Sequence, residues 1–297
     1  PSKEDDFRRL VEKVNAGADG IVTQMFFDNR FLFEMADHIL GREDADAAEI
    51  VQNQFRNEGI ELLLSSRIIR VESHRGHKII HYAVGQSEQS IEVNDILVGA
   101  GRAPNVDTMN LEAAGVKYDK FKGVLVDDQL RTSNSNVFAA GDICMDWKFT
   151  HAADAAARIV IQNALFKGRK KLSDLIMPWC TYTDPEIAHV GLYEHEARAK
   201  GINVETFVRK FEEVDRAIAD GQKEGFVKIH AQKGTDKLVG ATIVAAHAGE
   251  MISEITLAIV AGIGLKTISG VIHPYPTQAE AIKQIGDAYN RTRLTPF

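Results

Sequence analysis

Residues 132–142 read Thr-Ser-Asn-Ser-Asn-Val-Phe-Ala-Ala-Gly-Asp, and a largely apolar stretch at 151–166 follows shortly afterwards. The apolar run 137–140 predicts a short strand that ends at Gly141 and Asp142. Open α/β sheets bind cofactors at the carboxyl ends of their strands, where a glycine lets the backbone approach a ligand closely. A carboxylate at that position suits the hydroxyl groups of a sugar-like chain. The structural alternative is an ordinary strand-to-loop turn capped by the aspartate.

A second glycine cluster lies about 40 residues earlier and reads Val98-Gly-Ala-Gly-Arg-Ala-Pro-Asn105. It follows the apolar run 95–100, which predicts a buried parallel strand. It is not the dinucleotide-binding fingerprint, because the third glycine and the following helix are missing. The two clusters together predict adjacent strand ends that share one site.

Helix and strand patterns alternate along the chain, which favours α/β or α+β architecture. Helices are predicted at 5–15, 44–59, 151–166, 193–200, 249–261 and 277–290. Strands are predicted at 21–27, 60–64, 67–72, 78–84, 90–93, 95–100, 123–126, 137–140, 181–190, 205–211, 226–232 and 238–245. The four strands between 60 and 93 read as a meander. The basic stretch 167–171 predicts a linker, with a separate α+β domain after it.

Composition places the chain among soluble globular proteins. Its 297 residues are 44% hydrophobic and 26% charged, which excludes disordered, collagenous and disulfide-rich classes. The net charge of −7 argues against non-specific binding to nucleic acid or anionic membranes. No apolar run reaches the roughly 18 residues of a membrane helix, and the acidic start does not resemble a signal peptide. With only Cys144 and Cys180, the expected location is the reducing cytoplasm.

Four motifs in order give the chain a specific family resemblance. They are Gly99–Asn105, Thr132–Asp142, Thr181–Gly191 and His273–Glu280. From about Phe33 to Phe297, the chain resembles the pyridine nucleotide–disulfide oxidoreductases, and most closely the mercuric-reductase-like and dihydrolipoamide-dehydrogenase-like branch. The resemblance implies a homodimeric flavoenzyme in which NAD(P)H reduces FAD and the flavin reduces a small-molecule electron acceptor.

The same resemblance implies a division into three parts. Residues 1–98 would be an NAD(P)-binding-domain-like region, and 99–168 would be the C-terminal part of the FAD-binding domain. Residues 169–297 would be an α+β dimerisation domain that forms the homodimer. The expected fold class is therefore α/β Rossmann-like, a remnant of the FAD- and NAD(P)-binding domains, followed by a C-terminal α+β interface domain.

The resemblance also implies cofactor-binding residues. Asp142 would accept hydrogen bonds from the flavin ribityl chain, and the helix beginning near 150–152 would direct its N-terminus at the flavin pyrimidine edge, where it would stabilise negative charge. Glu34 matches the acid that accepts the NAD ribose hydroxyls, although a solvated surface acid is the alternative. The full expected set is Gly99, Gly101, Arg102, Gly141, Asp142, Thr150, His151, Ala152 and Glu34.

The last motif supplies the catalytic candidates. The position of the family's usual histidine base holds Tyr275, as in the mercuric-reductase-like branch, while the orienting acid Glu280 is retained. A phenol titrates near about 10, so Tyr275 is a poor base at neutral pH but a usable donor or metal-contacting oxygen. His273 is either an alternative acid–base group or a loop histidine. This site would be completed by the second subunit.

Besides Tyr275, two further departures qualify the resemblance. No glycine-rich fingerprint is present, and the family's Cys-x4-Cys pair is absent because Cys144 and Cys180 are 36 positions apart. We interpret both cysteines as small core residues. The departures predict a truncated or recombined oxidoreductase that is weak alone; the alternative is a non-catalytic, dimerising fragment.

Residues 1–32 resemble a different family. Their segment Leu10–Asp28 is similar to one helix and one strand of methylenetetrahydrofolate reductase, in which the residue matching Gln24 faces the folate. One such unit cannot form a TIM-barrel site. The segment therefore predicts a chimera, with a native divergent segment and a folate-linked enzyme as alternatives.

Three histidines have spacing that could hold a metal: His74, His77 and His81. Such imidazoles can share a metal on a helix or a tight hairpin. However, Gly76 predicts a turn inside the cluster, and successive strand residues point to opposite faces. An exposed hairpin is the favoured interpretation.

Overall fold

The computed structural model describes residues 31–34, 36–74, 77–99 and 101–294, which divide into two compact units. The first unit contains Asp95–Leu175, and the second unit combines Asn29–Asn94 with Ile176–Phe297. The helix expected at 5–15, the strand expected at 21–27 and Gln24 lie outside the described residues. The chimera prediction is therefore untested by the fold.

A small parallel β–α–β element begins the second unit. Strand β1 (Phe31–Phe33) pairs in parallel with β2 (Glu61–Leu63), and helix α1 (Ala45–Asn57) connects them. A parallel pair requires such a crossover. Helix α1 agrees with the prediction and buries Ala47, Ala48 and Val51.

A three-stranded antiparallel meander follows in the order β3 (Ser66–His74), β4 (His77–Val84) and β5 (Ser87–Val93). The predicted meander is confirmed for these strands, but the assignment of 60–64 to it is wrong. Residues 61–63 pair with β1 instead, and Ser65, with a φ of 50°, redirects the chain between β2 and β3. An alternating pattern predicts a strand without specifying its partner.

The first unit contains little sheet. Strands β6 (Tyr118–Asp119) and β7 (Gly123–Val124) form a short hairpin, and helix α2 (Thr150–Leu165) agrees with the prediction for 151–166. This unit has a small apolar core, which contains Val106, Leu111, Val116 and Val124.

Two strands predicted for this unit are wrong. Residues 95–99 form no strand, and the segment 137–140 makes a single bridge, from Phe138 to Arg131. A buried parallel strand needs neighbours that satisfy its backbone groups, and no strand in the described part of the chain pairs with 95–99. Leu97 and Val98 are accordingly exposed.

A five-stranded antiparallel sheet, ordered β10-β11-β12-β9-β8, forms the rest of the second unit. The strands are β8 (Pro178–Thr181), β9 (Glu186–Gly191), β10 (Val204–Lys210), β11 (Phe226–Gln232) and β12 (Leu238–Ala245). Its helices are α3 (Glu194–Ala199), α4 (Asp215–Ala219), α5 (Ala248–Ala261), α6 (Leu265–Ser269) and α7 (Glu280–Arg291). The predicted strand 181–190 is wrong: a turn containing Pro185, which lacks a backbone N–H, divides it into β8 and β9.

The core of this sheet is continuous and apolar. Ile229 and Ile243 from the sheet, Ile255 from α5 and Ile282 from α7 are almost completely buried in it. Helix α5 faces the sheet with one side only, because Leu257 and Val260 are exposed. No helix in the described ranges has the length and hydropathy of a membrane span.

Candidate cofactor site

Gly141 sets the approach of the Asp142 loop to helix α2. Its φ of +83° lies in the left-handed region, and an added Cβ would lie 3.0 Å from the Cβ of Ala153. Both constraints favour glycine. The loop thereby reaches α2 while the Asp142 side chain stays half-exposed.

An ion pair joins the two glycine clusters. Arg102 Nη1 donates to Asp142 Oδ2 at 2.9 Å, and Nη2 donates to the carbonyl of Lys148. The expected cofactor-binding residues Arg102 and Asp142 therefore contact each other. The clusters meet as the sequence predicts, although neither follows a regular strand.

Lys148 completes this arrangement. Its Nζ donates to the backbone carbonyl of Asp142 at 3.1 Å and to that of Met145 at 3.2 Å. Sequence reasoning missed Lys148, whose only signal is a positive charge three residues before the helix predicted at 151–166. Two cations, Arg102 and Lys148, therefore hold the two ends of the loop between Asp142 and α2 together.

The N-terminus of α2 presents backbone donors without a side-chain cap. Phe149 occupies the N-cap position without a capping bond, and the first turn contains no acid. Thr150 and His151 are exposed, whereas Ala152 is fully buried and could face a ligand only through its backbone. Such a terminus stabilises a nearby anion by about 0.3–1 kcal/mol.

The glycines of the first cluster are open to solvent. Gly99 and Gly101 are exposed, and an added Cβ at either would meet no atom within 4 Å. Gly101 has a φ of +93°, so only its backbone conformation favours glycine. Contact of these two residues with a cofactor stays a prediction.

Glu34 follows β1 directly, at the carboxyl end of the parallel pair, as expected for an acid that binds a ribose. One of its oxygens accepts the N–H of Ala36 at 3.2 Å, and its side chain is half-buried. This contact fixes the carboxylate beside the strand end.

Tyr275 is exposed, and its hydroxyl donates to Asp215 Oδ2 at 2.9 Å. This hydrogen bond to a carboxylate raises the pKa of Tyr275 above its ordinary value, and the nearby charge of Glu280 adds to the effect. The phenol is therefore a neutral donor at physiological pH, in line with the sequence argument. Asp215, on α4, was missed because it lies 60 residues away in sequence.

His273 pairs with a carboxylate that the sequence analysis did not single out, Glu254. Its Nε2 lies 2.9 Å from Glu254 Oε1, its Nδ1 lies 3.1 Å from the carbonyl of Val271, and its side chain is only 6% exposed. Glu280 is instead the first residue of α7. Glu254, on α5, therefore orients this histidine.

The two cysteines are half-buried and belong to different units. Burial raises the pKa of Cys144 to about 11 and that of Cys180 to about 12. Both are thiols at neutral pH, so neither has the character of a reactive thiolate.

The histidine cluster lies on the β3–β4 hairpin that the sequence favours. His77 Nδ1 lies 3.2 Å from a carboxylate oxygen of Glu92, and His81 Nε2 lies 3.5 Å from one of Glu72. The described residues contain no group of three or more metal-ligating side chains placed to hold an ion.

Comparison with known proteins identifies the family. The model of the pyridine nucleotide-disulphide oxidoreductases matches residues 18–157, and the model of their dimerisation domain matches 177–285. This chain belongs to the pyridine nucleotide-disulphide oxidoreductase family. The predicted family and fold class, α/β followed by an α+β interface domain, are thereby confirmed, and the separate origin of residues 1–32 stays a prediction. The boundaries near 98 and 168 stay a prediction.

The relatives include both branches that the motifs resemble. A mercuric reductase of Staphylococcus aureus is 34% identical over 85% of this chain and 46% of its own length. A dihydrolipoyl dehydrogenase of Thermus scotoductus is 33% identical over 89% of this chain and 57% of its own length. The chain spans about half the length of the curated relatives it matches.

Solved structures agree on the fold. The HOCl-induced flavoprotein disulfide reductase RclA from Escherichia coli matches with a TM-score of 0.78 and 23% identity, over 86% of this chain and 58% of RclA. LpdA from Mycobacterium tuberculosis matches with a TM-score of 0.81 and 25% identity, over 87% of this chain and 56% of LpdA.

Proposed function

We propose that this chain acts as an FAD-dependent NAD(P)H oxidoreductase of the pyridine nucleotide–disulfide type. The observation that carries the proposal is the half-exposed Asp142 carboxylate, held beside the uncapped N-terminus of α2. Bound FAD would supply the two-electron chemistry between NAD(P)H and a small-molecule acceptor. Relatives named mercuric reductase and dihydrolipoyl dehydrogenase support this class of reaction.

The donor set fits one end of a flavin nucleotide. The carboxylate of Asp142 suits ribityl hydroxyls, because an ionised carboxylate only accepts hydrogen bonds. The backbone N–H groups of α2 and the positive charges of Arg102 and Lys148 suit an electron-rich ring edge. No glycine-rich phosphate cradle accompanies them in the sequence, so we expect weak binding and low activity from this chain alone.

Residues of the second unit would serve the nicotinamide nucleotide and the acceptor. Glu34 would accept the ribose hydroxyls. Tyr275 would donate its phenolic proton near the acceptor, with Glu280 and His273 as the other candidate catalytic groups. These roles extend the family resemblance to positions that match its motifs.

We further propose that the dimerisation domain forms a homodimer. Leu257, Val260 and Ile272 are exposed apolar residues in that domain, and burying them against a second copy would be favourable. A cytoplasmic location without nucleic-acid or membrane partners stays a prediction.

A second candidate is a dimerising scaffold without catalysis. The complete sheet core favours it, because that core needs no cofactor for its packing. The folate-linked alternative rests on residues outside the described ranges and is not proposed.

A cofactor titration separates the candidates. Purified chain is titrated with FAD while flavin fluorescence is recorded, and NADH or NADPH oxidation is then followed with and without bound flavin. We expect saturable quenching and slow, flavin-dependent oxidation. A dimer in sedimentation that neither quenches FAD nor oxidises either nucleotide would establish the scaffold instead.

A further inference from the structure

The loop that precedes α2 is tied at both ends by basic side chains. Lys148 binds the carbonyls of Asp142 and Met145, so the end of the loop is fastened to its beginning. Arg102, from the other glycine cluster, binds the Asp142 carboxylate and the Lys148 carbonyl. Side chain and backbone at Asp142 are thus held by different cations.

These contacts determine the placement of the Asp142 carboxylate relative to the first N–H groups of α2. Lys148 lies two residues before the first helical residue, so a bond to its carbonyl restrains the entry to the helix. A guanidinium can hold two acceptors in a fixed geometry because its donors are coplanar, whereas an ammonium acts as a single point charge. The position therefore favours arginine over lysine.

We propose that Arg102 is a positioning residue that preassembles the flavin-facing surface by holding the Asp142 carboxylate against the entry of α2. This inference rests on the proposed function. It differs from the expectation that Arg102 itself binds the cofactor, because here Arg102 does not contact the flavin. Preassembly strengthens binding because the ligand does not have to order the loop itself. Arg102 would therefore act on the flavin through Asp142.

A double-mutant cycle tests whether Arg102 affects FAD binding through Asp142. FAD affinity is measured by fluorescence quenching for wild type, Arg102→Met, Asp142→Asn and the double variant. The ion pair is half-exposed, so we expect Arg102→Met to weaken FAD binding by about two- to fivefold. The same substitution should have little effect in the Asp142→Asn background. Equal effects in both backgrounds would refute a role exerted through Asp142.

Two further variants test whether the effect on FAD affinity is specific to the guanidinium of Arg102. Arg102→Lys retains a cation but loses the planar fork, so its FAD affinity should lie between those of wild type and Arg102→Met. Arg158→Met is the matched control, because it removes an arginine–aspartate pair, with Asp154, from the exposed face of α2. We expect wild-type affinity from this control. Wild-type affinity in Arg102→Met as well would overturn the proposal.

A measurement without flavin makes the test independent of the proposed function. Backbone hydrogen exchange across 142–149, including the N–H of Cys144 that donates to Gly141 at 3.0 Å, reports how firmly the loop is held. We expect faster exchange there in Arg102→Met and unchanged exchange in Arg158→Met. Unchanged exchange in both variants would show that Arg102 does not restrain the loop 142–149. Failure of wild type to bind FAD, with the exchange effect present, would remove only the flavin-facing role and the proposed function.

Discussion

The five-stranded sheet of residues 176–294 and the unit of residues 95–175 reach order in different ways. Every strand of the sheet pairs within the described residues, and its core contains Ile229, Ile243, Ile255, Ile282 and other fully buried apolar side chains. In its described residues, the other unit has one hairpin, made of two strands of two residues each, and one long helix. Its surface exposes large apolar side chains, among them Val98, Phe121, Leu165 and Phe166.

This contrast shows where each region obtains its stability. Apolar burial contributes about 25 cal/mol per Å², and the continuous apolar core is the main support of the sheet. The candidate cofactor site lies in the unit with less buried apolar surface, where ion pairs and loop hydrogen bonds hold the residues together. Its geometry should therefore be easier to perturb and more responsive to a ligand.

The chain offers a separate optical reporter for each region, because its two tryptophans are Trp147 and Trp179. Trp147 lies in the unit 95–175, and Trp179 lies on β8 of the sheet. Variants that carry Trp147→Phe or Trp179→Phe leave one tryptophan and assign an unfolding transition to one region.

The largest expected effect is the loss of a core side chain from the sheet. Ile255→Ala should lower the free energy of unfolding by about 2–5 kcal/mol, because it leaves a cavity in a fully buried position. Ile161→Ala, at an exposed position of α2, should change it by about 0.5 kcal/mol or less. Urea denaturation gives both values, with Trp179 fluorescence as the signal for Ile255→Ala. Similar losses for the two variants would contradict the contrast between the regions.

A glycine substitution tests the cofactor-site unit. Gly141→Ala should cost about 2–3 kcal/mol, since it combines a left-handed φ with a Cβ only 3.0 Å from Ala153. Gly85→Ala, in the turn between β4 and β5, has a left-handed φ but open space and should cost about 1 kcal/mol. The Trp147 transition measures the first variant, and circular dichroism compares both. Equal costs would mean that the close approach to α2 is unimportant.

A buried carboxylate should have the next largest effect. Glu43 accepts hydrogen bonds from the Tyr193 hydroxyl at 2.6 Å and from Trp179 Nε1 at 2.9 Å. Glu43→Ala should cost about 1–3 kcal/mol, because it removes the acceptor of the buried Tyr193 hydroxyl and of the partly buried Trp179 indole. Glu49→Ala, on the exposed side of α1, is the control and should be nearly neutral.

The same residue predicts a pH dependence. Burial, with the neighbouring charge of Asp44, raises the pKa of Glu43 above its ordinary 4.5, although the bonds from Tyr193 and Trp179 act in the opposite direction. The folded state therefore binds this proton more tightly than the unfolded state, so its contribution to stability falls as pH rises above about 4.5. Relative to Glu43→Gln, the wild-type free energy of unfolding should decrease between about pH 4 and pH 7. An increase would reverse the assigned direction.

Sequence reasoning predicted the sheet region better than the unit 95–175 for a physical reason. Strands at 205–211, 226–232 and 238–245 and the helix at 249–261 have partners within the same region, so a local pattern was enough. The runs 95–100 and 137–140 carry the pattern of buried strands, yet the described residues supply no neighbouring strand for the first and only one bridge for the second. A pattern shows what a segment can form, and a partner decides whether it does.

The site shows a similar limit. Glycine clusters and an aspartate are visible in the sequence, and Arg102 and Asp142 do meet. Lys148, Asp215 and Glu254 carry little or no local signal, because the role of each depends on a partner that the fold brings close. The motifs therefore left out two contacts at long sequence separation, Tyr275 with Asp215 and His273 with Glu254, and one short-range contact that depends on the shape of a loop, Lys148 with Asp142.

The smallest expected effect concerns an exposed side chain, Tyr275. Its hydrogen bond to Asp215 raises its pKa, so the phenol should ionise at higher pH in wild type than in Asp215→Asn. Ultraviolet titration of tyrosinate in the two proteins, each compared with the same protein carrying Tyr275→Phe, isolates this group. We expect the removal of the carboxylate to lower the pKa of Tyr275 towards its ordinary value of 10. The free energy of unfolding of the sheet should stay unchanged, because neither side chain belongs to its core. An identical tyrosinate titration in both proteins would show that Asp215 does not raise the pKa of Tyr275. The phenol at the proposed acceptor site would then have an ordinary pKa.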